Sequence, residues 1–139
     1  MGKIATICIV GKEYPMSFSL MAAKKITEKF GSMEKAFQKM AQGSGENPDD
    51  TMMDTIVYMI EILISQGCAY KNMFEKDVPP PKNAPIIDGK WTPLPREALE
   101  IALGISDMEE INAKIQECIN GGKEKEVETV EKNLQATQG

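Results

Sequence analysis

Asp49 to Gln66, DDTMMDTIVYMIEILISQ, decides how the chain folds. At 100° per residue, Asp54, Tyr58, Glu61 and Ser65 fall on one narrow polar stripe, with Thr51 beside it. Met52, Met53, Ile56, Val57, Met59, Ile60, Leu63 and Ile64 fill a broad opposite arc. A surface helix needs an apolar stripe only ~100° wide, so this helix is expected to be covered from two sides. Burying a large apolar side chain contributes roughly 1.5–3 kcal/mol. Eight of them give a gross contribution above about 10 kcal/mol, whereas a helix this short is marginal alone in water. Tertiary packing must hold it, by this chain or by a partner as well.

The flanking sequence reads outward from that helix. Residues 3–19 suit a β-hairpin. Ile4 to Val10 is rich in β-branched residues, and Gly11-Lys12 fits a two-residue type II′ loop. The return strand alternates Tyr14, Met16 and Phe18 on one face with Pro15, Ser17 and Ser19 on the other. Pro15 has no N–H, which marks an edge. Ser19 and Ser32 are N-cap candidates for two short helices separated by Gly31. Gly43 to Pro48 forms a polar loop, after which Asp49 or Asp50 caps the central helix. After Gly67 the pattern weakens, and 68–74 either continues the helix or turns.

Val78 to Pro95 is non-helical, with prolines at 79, 80, 81, 85, 93 and 95. Pro79-Pro80-Pro81 suits an extended polyproline II spacer. Asp88-Gly89 marks a turn, with Ile86, Ile87 and Trp91 placed to pin the segment to the core. Pro95 fits the first turn of a helix to Leu103. Ser106 and Glu109 fit a capping box before the stripe Met108, Ile111, Ile115, Cys118 and Ile119, which Gly121-Gly122 would end. The expected fold class is therefore α+β: an N-terminal β-hairpin packed on a mainly helical bundle around a central helix (about 49–70), with a Pro-rich connection to C-terminal helices. The expected organisation is a core over 1–75, a Pro-rich linker lying on it over 76–93, a helical pair over 94–121 and a charged tail over 122–139.

Composition narrows the function classes. The chain has 139 residues, suiting one domain. Its net charge of −5 argues against binding a phosphate backbone. It has no histidine, which removes the commonest general base and metal ligand and excludes Cys-His and Ser-His pairs. Asp49-Asp50 and Glu109-Glu110 are sequence neighbours that do not face each other on a helix. The three cysteines lie far apart, without the spacing of a disulfide framework or zinc site. Gly43-Ser44-Gly45 lacks the lysine and spacing of a phosphate loop. Neither a signal peptide nor a spanning segment is expected, since Asp54 and Glu61 interrupt a stretch too short to cross a bilayer. A cytosolic protein without metal or cofactor follows as the expectation.

The ten methionines are the compositional oddity. Met fills gaps in cores, and it is also overused on surfaces that accept varied helices. Met33, Met40, Met59 and Met108 sit on apolar stripes and are read as core. For Met52, Met53, Met73 and Phe74 both readings stay open. A groove beside the central helix, with Met52, Met53, Ile56, Met73 and Phe74 as contacts, is the candidate partner site.

Over roughly residues 3–75 the chain resembles the tail assembly chaperones of long-tailed bacteriophages and prophages of Gram-positive hosts. The turn Gly11-Lys12-Glu13-Tyr14, the strand ending near Phe18, AAKKITEKFGSMEKAF at 22–37, the apolar helix after an acidic loop and Gln66-Gly67…Tyr70 carry the resemblance. It implies an α+β protein without enzymatic activity. Such a protein binds the long helical tape measure protein in the host cytoplasm and keeps it soluble until tail tube subunits arrive. The tail tube protein is a further implied partner, and homo-oligomers are implied as well. A small self-associating structural or adaptor subunit without a client is the alternative.

Overall fold

The computed structural model describes residues 4–41 and 49–134. The fold is α+β. Hairpin strands β1 (Ala5–Ile9) and β2 (Lys12–Met16) come first, then helices α1 (Leu20–Phe30), α2 (Met33–Met40) and α3 (Asp50–Phe74). A two-residue-per-strand hairpin, β3 (Ile86–Ile87) and β4 (Lys90–Trp91), follows. Helix α4 (Arg96–Ala102), a 3-10 turn (Ile105–Asp107) and helix α5 (Met108–Leu134) complete it.

α3 is the hub. Met52, Ile56, Val57, Met59, Ile60, Leu63 and Ile64 are buried, and Met53 packs partly buried against them. Thr55 and Ile62, outside the expected arc, are buried too. The Thr55 hydroxyl donates back to the Thr51 carbonyl at 2.7 Å, which satisfies it inside the core. Both hairpins and all four other helices pack on α3. Even the polar stripe is bordered: Tyr58 meets Phe30 edge-to-face at 5.5 Å, and Asp54 pairs with Arg96 of α4 at 2.8 Å.

α3 does not stop near residue 66 or 70 but runs 25 residues to Phe74, or about 37 Å at 1.5 Å per residue. By length and composition it could therefore cross a bilayer, contrary to the sequence expectation, and 56% of its apolar window is buried inside the protein. Gly67 sits mid-helix because the hairpin presses on it. A Cβ there would overlap the Pro15 carbonyl group and lie 2.7 Å from the Met16 nitrogen. Beside it, the Ser17 N–H donates to the Leu63 carbonyl of α3 at 3.0 Å.

The first hairpin corrects the expected turn. Ile9 pairs with Lys12, Ile7 with Tyr14 and Ala5 with Met16, so the loop is Val10-Gly11, with φ of 49° and 78°, a type I′ geometry. Pro15 explains why. A Gly11-Lys12 loop would place Pro15 opposite Cys8 at a hydrogen-bonded position, where it has no N–H to give. In the observed register Pro15 faces outward, flanked by Glu13 and Ser17. The Glu13 N–H reaches the Asn83 carbonyl at 3.0 Å. β2's outer edge is thus closed by the Pro-rich segment and α3, and Pro15 itself is fully buried.

The caps agree with expectation at three helices. Ser19, Ser32 and Asp49 accept from the N–H groups of Ala22, Lys35 and Met52. Elsewhere they differ. Before α5, Ser106 lies inside the 3-10 turn, and the Asp107 carboxylate accepts the Gly104 N–H at 2.8 Å instead of an S-x-x-E box forming. α5 also passes through Gly121 and Gly122 to Leu134. Glycine lowers helix stability by about 1 kcal/mol but need not break a helix, and Lys and Glu that favour helix follow. The Gly43–Pro48 loop and residues 135–139 lie outside the described residues. α4 and α5 fold back on the core through Leu99, Ile111, Ile115, Cys118 and Ile119, all buried.

Candidate partner-binding surface

The structure splits the five candidate contacts. Met52 and Ile56 are 4% and 0% exposed, inside the core, and Met53 packs against it. Met73 and Phe74, 67% and 71% exposed, stand on the last turn of the same helix, about 30 Å further along its axis. The five therefore do not form one groove. The over-wide apolar arc at the N-terminal half of α3 is covered by this chain's own helices. An acidic replacement at Met52 would bury an unpaired carboxylate, costing several kcal/mol of stability, so it does not test binding.

Around Met73 a different surface is built. Asn72 acts as a two-pronged clamp: its side-chain amide donates to the Trp91 carbonyl and accepts the Trp91 N–H, both at 3.0 Å. The β3–β4 hairpin is tight because Asp88-Gly89 (φ 52° and 77°) forms a type I′ turn. Fixing its one backbone position fixes the whole loop. Lys71 lies over the Trp91 ring, 5.3 Å from its centroid, and pairs with Glu75 at 2.8 Å. Between the end of α3 and this hairpin lies an open cavity of about 780 Å³, with Met73, Val78, Pro80, Ile86 and Trp91 as its apolar wall and Lys71, Lys76 and Lys90 among its polar lining. Phe74, packed on Tyr70 with ring centroids 5.2 Å apart, and Ile87, 60% exposed, are further apolar groups on the two elements that frame it.

Of the expected pinning residues, Trp91 packs against the core, Ile86 is half-buried and Ile87 points to solvent. Ala84 and Pro85 are buried in their place. The roles of Lys71, Lys76, Lys90 and Val78 had no sequence signal, because they meet only through the Asn72–Trp91 contact across 19 residues. Among the described residues no group of acids and cysteines could hold a metal ion. Burial pushes the Cys68 and Cys118 thiols up to about 12, and both are inert core groups.

No family model, curated protein or solved structure matches this chain.

Proposed function

We propose that this chain acts by binding, as a tail assembly chaperone that holds the tape measure protein in the host cytoplasm until tail tube subunits displace it. One observation carries the reading: Met73 and Phe74 stand exposed on the last turn of α3 beside an apolar groove. Exposed apolar groups gathered in one place mark interaction sites, and flexible methionine suits a surface that must accept many helical segments of one long client. The sequence resemblance over residues 3–75 supplies the client's identity.

The test is co-expression with the tape measure protein followed by size-exclusion chromatography. The tape measure should become soluble and elute with this chain. A Met73→Asp, Phe74→Asp variant should keep the native circular dichroism, since exposed changes shift stability by about 0.5 kcal/mol or less, yet lose the client. A tape measure that aggregates beside the native chain would sink the reading.

A second reading, a self-associating subunit without a client, has its own observation. In the observed register Thr6 and Cys8 direct their backbone groups away from β2, and among the described residues these have no hydrogen-bonded partner. An open strand edge is a template for pairing. Thr6→Pro removes one outward N–H without touching the β1–β2 ladder. On this reading it should convert an oligomer, measured by light scattering, into monomers.

A further inference from the structure

The groove beside Met73 carries a charge pattern opposite to that of the whole chain. The protein has 16 basic and 21 acidic residues, yet three lysines line this cavity against one acid, Glu75. Glu75 is already paired with Lys71. Asp77 and Asp88, the next acids in sequence, do not line it. Lys76 and Lys90 are exposed, and among the described residues neither side-chain ammonium has an ion pair or hydrogen bond. They stand on the two elements that frame the apolar wall, one just past the end of α3 and one on β4.

From this complementarity we infer that the groove takes an amphipathic helical segment whose apolar stripe is flanked by Asp or Glu. The inference rests on the binding reading above and names the chemistry of the segment bound. The apolar stripe of the helix lies on Met73, Val78 and Trp91, with anchors spaced i, i+3 or i+4. Its carboxylates meet Lys76 and Lys90 at the rim, where charge sets partner choice and association rate more than total affinity. Lys71 is occupied and serves the wall: with its charge neutralised by Glu75, its stem and head hold the Trp91 ring in place.

Trp91 is the sole tryptophan of the chain and lines the groove, so its emission reports occupancy directly. The probes are two synthetic helices of about 18 residues, long enough to hold helix once docked. They share one Leu/Ala stripe and differ only in carrying Glu or Lys beside it. The Glu peptide should shift Trp91 emission at concentrations about ten-fold lower than the Lys peptide at low salt, and the gap should narrow as salt rises. In a Lys76→Glu, Lys90→Glu variant the order should reverse. Equal binding of both peptides overturns the charge preference while leaving client binding intact. If neither peptide moves the emission, the groove is not a helix site, and the co-expression experiment then judges the chaperone reading separately.

Discussion

Gly67→Ala should destabilise the protein, although alanine is the better helix former. In an isolated helix the change would gain about 1 kcal/mol. Here the added methyl meets backbone, the Pro15 carbonyl group and the Met16 nitrogen, neither of which can swing away as a side-chain tip would. Overpacking of this kind costs about 1–3 kcal/mol, and more where the neighbour is rigid. Moving β2 off α3 also lengthens the Ser17–Leu63 hydrogen bond, worth about 1 kcal/mol. Taking about 3 for the clash and 1 for the bond against the helix gain leaves a loss of about 3 kcal/mol, or a melting point lower by about 10 °C for a chain of this size. Thermal and urea unfolding followed at 222 nm measures it. Ala69→Gly, two residues on and solvent-facing, is the control and should cost only about 1 kcal/mol. A Gly67→Ala protein as stable as the parent, or more so, would refute the close packing of β2 on α3.

Val10 holds a left-handed conformation (φ 49°) while 80% exposed. Val10→Asn should therefore relieve about 1 kcal/mol and raise the melting point by about 3 °C; an unchanged melting point would argue against the type I′ turn. Asn72→Ala removes both bonds to the Trp91 backbone and should cost about 1–3 kcal/mol. It should red-shift Trp91 emission and make it quenchable by acrylamide, whereas native emission would mean that the second hairpin is held by something else. Of the three thiols, exposed Cys8 alone should react promptly with a disulfide reagent in the native state, and all three after unfolding. Cys68 and Cys118 stay protonated to about 12 when folded, against an ordinary thiol near 9. The unfolded chain releases these protons first, so the stability is complete below pH 9. It falls above that by about 1.4 kcal/mol per pH unit for each thiol, through the folded value. Tyr14 and Tyr58, also raised by burial, act in the same direction above pH 10. A stability slope between pH 9 and 10, below the tyrosine range, that persists in a Cys68→Ala, Cys118→Ala variant would contradict this account.

Much of the architecture was legible because it is local. Periodicity marked α3, the serine and aspartate caps marked three helix starts, and Asp88-Gly89 marked its own turn. The register of the first hairpin is misread as a Gly11-Lys12 loop when the glycine is weighed as a turn former and the missing N–H of Pro15, which favours the observed Val10-Gly11 loop, is not. Gly121-Gly122 misled because glycine weakens a helix without ending it. Gly67 misled in the same way. Its reason for being there is Pro15, a residue 52 positions earlier.

The candidate surface divides along the same line. A methionine on a helix has the same sequence signature whether it faces the core or solvent. Met52 and Met73 therefore could not be told apart until the other helices and the hairpins closed over α3 and left Met73 and Phe74 on its last turn exposed. By itself the sequence determined the first hairpin, the starts of the first three helices and most of the apolar face of the central one, since those follow from backbone sterics and side-chain spacing within a few residues. Only the tertiary structure decided which apolar side chains remain in water, and that Lys76 and Lys90 share a groove with Trp91, because both depend on contacts between residues far apart in the chain.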